Sequence, residues 1–139
     1  MLDVHVSPKA LLVFRMAIYL CAFYFLLMGM MMMIFPELVA RNVGALHPRM
    51  LGILRGVGGS ILGSTVFYIL IALKPFERRW AAIIIACANI LAITLDVISV
   101  RLGEYTISNA MMDIPIETLS VLTIVIFYST HRVRTLGNG

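Results

Sequence analysis

Six polar side chains set within or against long apolar runs carry the chemistry this sequence can offer: Arg55, Asn89, Asp96, Arg101, Asp113 and Glu117. Asp113 and Glu117 are spaced i, i+4 and so share one helical face. Ala82, Ala86, Asn89, Ile93 and Asp96 follow a 4-3-4-3 spacing, which draws a second such face pointing inward. Two arginines and three carboxylates at one depth of a bilayer can do one of two things. They can neutralise one another and hold helices in register, or they can line a polar pocket for a ligand headgroup, an ion or a relayed proton. An unpaired charge at such depth costs about 3 kcal/mol on the insertion scale, which favours pairing. The economical pairs are Arg55 with Glu117, and Arg101 with Asp96 or Asp113. A guanidinium suits the task because its planar fork bonds a carboxylate through two parallel hydrogen bonds.

The elements that position these groups follow from composition. The chain has 139 residues, of which 61% are hydrophobic and only 13% charged, too few charges to cover a water-facing surface. The reading is an all-α integral membrane protein, an antiparallel four-helix bundle in one domain spanning 1–139. Helices are expected at about 10–35, 50–73, 80–100 and 113–130, each near the ~20 apolar residues that cross a bilayer. The first run is too long for a signal-peptide core, so it is expected to be a retained helix. The connection from Pro36 to Arg49 is expected to carry a short amphipathic helix along the interface.

Four spans place both termini and the Lys74–Arg79 connection on one side. That side holds Lys9, Arg15, Lys74, Arg78, Arg79, Arg132 and Arg134, and the other Arg41, Arg49, Arg55 and Arg101. The excess points to cytoplasmic termini in a bacterial inner membrane. On this topology Arg55, Asp96, Arg101, Asp113 and Glu117 all fall in the outer half, and Arg15 snorkels to the cytoplasmic surface. The net charge of +4 reflects these flanking residues and gives no reason to expect a nucleic-acid partner.

The second helix carries Gly52, Gly56, Gly59 and Gly63 at 4-3-4 spacing, with Gly58, Ser60 and Ser64 alongside. Such a stripe lets a neighbouring backbone approach closely, so this helix is expected to be the packing centre, with self-association as the weaker alternative. The matching small face on the third helix is Ala81, Ala88 and Ala92. Cys21 and Cys87 read as small apolar residues, not a redox pair. The run Met28–Phe35 points its methionines all round a helix and reads as adaptable apolar filler rather than a copper site. His5, His47 and His131 lie outside the spans and cannot jointly hold a haem within the membrane. No metal or other cofactor is expected, and no nucleophile, diphosphate or Cys-x-x-Cys motif is present. Chemistry would have to run on carboxylates and arginines alone.

LRGVGGSILG opening the second helix, Arg101 near the outer end of the third, and DIPIETLSVL opening the fourth resemble the DoxX-like superfamily of small bacterial four-helix membrane proteins. The similarity covers roughly Met50 to Tyr128. It implies Arg55, Gly58, Gly59, Arg101 and Glu117 as signature positions and a bundle fold, but no activity. Asp96 and the methionine-rich first helix depart from the pattern. Because some relatives accompany quinone-linked oxidases, the resemblance also implies a small subunit of a larger respiratory or photosynthetic complex. The leading functional expectation is a non-enzymatic membrane component, either such an accessory subunit or a binder of a lipid-like or quinone-like molecule. The alternative is a small transporter or proton-coupled permease using Asp96, Asp113 and Glu117. Expected partners are membrane lipids, a quinone or other lipophilic ligand, and other membrane subunits or a second copy.

Overall fold

The computed structural model describes residues 6–42, 47–104 and 106–131, so His5, Arg132 and Arg134 lie outside the described residues. Among the described residues there are five α-helices and no strand: α1 (Pro8–Ile34), α2 (Pro36–Asn42), α3 (Pro48–Leu73), α4 (Arg79–Arg101) and α5 (Ile107–Thr130). α1, α3, α4 and α5 are long and apolar enough to cross a membrane, a multi-pass arrangement. The short α2 is the helix expected between the first two spans.

Local sequence sets most of these boundaries. α1, α2 and α3 each begin with proline, whose missing N–H is no loss in a first turn. Ser7 accepts from the Ala10 amide at 3.1 Å and Thr106 from the Asn109 amide at 3.2 Å, so both serve as N-caps. α4 ends at Arg101, and Gly103 just beyond its cap takes φ 74°, a left-handed conformation that glycine adopts without steric cost.

The fifth helix corrects the expectation. It starts at Ile107, not Asp113, and runs through Pro115. A proline inside a helix removes one N–H and disturbs one turn. Here the Thr106 cap starts the helix two turns earlier, and the disturbed turn is supported from α1. The Tyr24 hydroxyl lies 2.8 Å from the Met112 carbonyl, and the Cys21 thiol lies 3.9 Å from the Ile116 carbonyl.

The four long helices form a ring in which α1 packs on α3, α3 on α4, α4 on α5, and α5 closes on α1. The α1–α3 seam is the most extensive and α3–α4 the slightest. The core sits toward the end that carries the α3–α4 turn, where Phe14, Ile18, Cys21, Tyr68, Ile71, Ala72, Ala81, Ala82, Ile85, Ile124 and Phe127 are buried. Phe14 stacks on Phe127 with ring centroids 3.9 Å apart. Arg15 does more than reach for the surface: its Nε donates to the Ala72 carbonyl at 3.0 Å and its Nη2 to the Leu73 carbonyl at 3.3 Å. It thereby caps the C-terminal end of α3, where a cation also meets the negative end of the helix dipole.

The glycine stripe is a second correction. Gly52, Gly56, Gly59 and Gly63 are exposed, and a Cβ built on any of them meets nothing within 4 Å. The close approach is made by Gly58 and Gly29 instead. A Cβ on Gly58 would lie 2.8 Å from the Gly29 carbonyl oxygen and 2.9 Å from Met33 N. α3 is thus tied to α1 through the one glycine of its opening segment that stands off the stripe.

Candidate functional site: a carboxylate-lined cavity

Midway along the bundle the four long helices diverge around a cavity of about 300 Å³. α1 contributes Tyr24, Phe25, Met28 and Met32, at successive helical turns, and α3 contributes Ile61, Ser64 and Tyr68. Ile85, Ala88, Asn89 and Ala92 come from α4, and Asp113 and Glu117 from α5. The lining runs from Met32, in the last turn of α1, to Tyr68 and Asn89 at mid-bundle. Small side chains at Ala88 and Ala92 leave the space open, while the wider residues of α1 wall it.

The floor of the cavity is a fully buried polar knot. Asn89 Nδ2 donates to the Tyr68 hydroxyl at 2.7 Å and to Ser120 Oγ at 2.9 Å, and Ser120 Oγ lies 3.2 Å from the Tyr68 oxygen. Three helices are joined by these bonds, which supply the partners that buried polar groups require. The Tyr68 oxygen already accepts twice, so its own proton is left to donate elsewhere.

Glu117 is the exception to this satisfaction. It is 7% exposed, and its Oε2 is buried with no hydrogen-bond partner among the described residues. Because α5 starts at Ile107, Glu117 stands ten residues in, about 15 Å along the helix axis, deeper than the sequence led one to expect. Asp113 is half-buried one turn nearer the α5 start, with its Oδ1 2.6 Å from the Tyr24 hydroxyl. The Tyr24 proton is therefore shared between Asp113 and the Met112 carbonyl. Asp96, Asp113 and the Tyr68 phenol are ionisable neighbours that interact electrostatically with Glu117, and none of them brings a positive charge.

The expected arginine pairings do not form. Among the described residues the only ion pair is Lys74–Glu77, 2.9 Å apart and exposed in the α3–α4 turn. Arg55 is exposed and lines a separate hollow at the α1–α2 elbow with Glu37 and Arg41. Arg101 is exposed as well, beside Val97, Ile107 and Met111. The charges do share a region of the bundle, but the arginines leave it outward while the carboxyls turn in. Of the six groups singled out in the sequence, Asn89, Asp113 and Glu117 line the cavity, and Asp96 stays half-buried outside its lining.

Tyr24, Tyr68 and Ser120 are site residues that the sequence reading passed over. A usable signal existed: Ile61, Ser64 and Tyr68 are spaced 3-4, and Tyr24, Met28 and Met32 are spaced 4-4, each marking one helical face. Cys21 and Cys87 are free, the first buried and the second exposed. Compared with family models, characterised proteins and solved structures, the chain finds no match.

Proposed function

We propose that this protein is a non-enzymatic component of a bacterial inner membrane, with cytoplasmic termini, that binds a small lipid-like molecule inside the bundle. The observation that supports this reading is Glu117, a carboxyl with one oxygen left without a partner among the described residues, beside a cavity whose lining is mostly aromatic, aliphatic and thioether with Ser64, Asn89 and Asp113 as its other polar members. A purely structural network would satisfy its members, because a half-satisfied buried polar group costs more than an apolar one. Concave, mostly apolar sites with a few convergent polar groups are how proteins hold small ligands, and 300 Å³ is at the small end of their range. The Tyr68 hydroxyl proton and the Glu117 oxygen offer such a ligand one donor and one acceptor. Kinship with DoxX-like proteins is compatible with this role and remains part of the proposal.

Filling the cavity tests the reading. Native mass spectrometry of protein purified in mild detergent should find a co-purifying small amphiphile on the wild type and none on Ala92→Phe. Identical, ligand-free spectra from both proteins would count against it. A second reading, transport, is favoured by the extent of the lining from Met32 to Asn89, which carries the cavity from one end of the bundle to its middle. Proteoliposomes that accumulate the identified ligand would convert binding into transport.

A further inference from the structure

We infer that the molecule held in this cavity is a lipophilic amine whose ammonium group sits on the Glu117 carboxylate. The inference rests on the binding role proposed above and narrows it to a class of ligand. Its basis is the sign of the charge that the site lacks. Among the described residues, the groups that the surrounding elements bring toward Glu117 carry no positive charge. α1 offers the Cys21 thiol and the Tyr24 phenol, α3 the Tyr68 phenol, α4 Asn89 and Asp96, and α5 Asp113. Among the described residues no lysine, arginine or histidine forms an ion pair with it. The two arginines near this end of the bundle, Arg55 and Arg101, are exposed and line other hollows.

The walls suit a cation with an apolar body. Tyr24, Phe25 and Tyr68 line the cavity together, and because Phe25 and Tyr68 stack on each other with centroids 5.2 Å apart, the ring faces left for a ligand are those turned away from that stack. Aromatic faces next to a carboxylate hold organic ammonium groups through ring quadrupoles, which act strongly where water is excluded. An ammonium also donates several hydrogen bonds, enough for Glu117 Oε2 and a second acceptor in the cavity. Size limits the rest of the molecule. An engineered apolar cavity of about 150 Å³ takes one benzene, so 300 Å³ admits a body of roughly two fused rings.

The test uses the full chain in nanodiscs of zwitterionic lipid and three naphthalene probes of one shape: 2-naphthylmethylammonium, 2-naphthylmethanol and 2-naphthoate. Equilibrium dialysis against empty nanodiscs, read by naphthalene fluorescence, separates binding from partition into lipid. The ammonium should bind the wild type at least tenfold more tightly than the alcohol, and the carboxylate should not bind saturably. Glu117→Gln should abolish the preference, so that the variant binds the ammonium no more tightly than it binds the alcohol. The wild-type series decides the matter even if that variant does not fold. Saturable alcohol binding that is lost in Ala92→Phe, with no preference for the ammonium, would overturn the inference and leave lipophile binding intact. No saturable binding of any probe to the wild type would overturn both.

Discussion

The two halves of this bundle are built on opposite rules. Toward the α3–α4 turn, aromatic and alanine side chains pack into a buried core with open grooves on its α1–α5 and α4–α5 surfaces, Arg15 caps the α3 carbonyls, and the Tyr128 hydroxyl bonds the Pro75 carbonyl. Toward α2 the helices hold together chiefly where Gly58 meets Gly29, and the remaining glycines of α3 face outward. There Ile93 and Asp96 stay half-buried, and the interior is a cavity with an unsatisfied carboxyl. Among the described residues every buried side-chain nitrogen and oxygen of the closed half has a partner, and Glu117 Oε2, at the boundary, does not. The packed half can hold the bundle together while the other keeps an arrangement that costs stability, as a site for the proposed ligand would.

Substitutions can break this contrast at several strengths. The largest effect is expected in the closed half. Phe127→Ala removes a ring that stacks on Phe14 and touches Phe76, Tyr128 and His131. It should cost about 3 kcal/mol, the lower part of the range for such truncations, because lipid already solvates apolar groups and only the lost contacts count. Ile126→Ala, one residue away but 59% exposed, should change stability by less than about 0.5 kcal/mol. Unfolding in mixed micelles of SDS and mild detergent measures both. Equal effects would mean that α5 is rotated from the orientation described.

Next in size is a pair of neighbours on α3. Gly58→Val places a side chain against the backbone of α1, which cannot yield as a flexible side chain would, and should cost about 2 kcal/mol. Gly59→Ala meets open space and should stabilise by about 0.5 kcal/mol through helix propensity alone. The same unfolding assay should therefore return opposite signs for adjacent residues. If Gly59→Ala were the damaging change, the stripe would be the packing seam after all.

The smallest effect is expected at Arg55, which the sequence paired with Glu117. Arg55→Ala should alter stability by no more than about 0.5 kcal/mol, because the guanidinium is exposed and forms no ion pair with Glu117. A loss of several kcal/mol, the cost of stranding a buried partner, would restore the salt-bridge arrangement.

These contrasts also show what was legible in the sequence. Apolar runs and the residues that end them were enough to place α1, α3 and α4 to within about two residues, whereas α2 was expected only as a short helix somewhere between Pro36 and Arg49. Pro115 hid the start of α5, because a proline reads as a first-turn residue and the Thr106 cap lies two turns earlier. Asn89, Asp113 and Glu117 were found by spacing, since residues that share a helical face share it in any packing. The rotation of α3 was not readable. Only 22% to 28% of each apolar span is buried, so the lipid-facing surface is as apolar as the core and leaves no stripe to orient by. For the same reason depth alone paired Arg55 with Glu117. Two groups at one level meet only if both turn inward, and an arginine near a helix end can satisfy itself outside.

The central claim is that Glu117 serves a ligand at the expense of the fold, and the melting temperature of ligand-free Glu117→Gln tests it most directly. The amide keeps the shape and removes a buried carboxyl whose Oε2 has no partner among the described residues, so the variant should melt at or above the wild-type temperature. A fall of several degrees would show that the carboxylate is held by a partner within the protein, and would contradict the account.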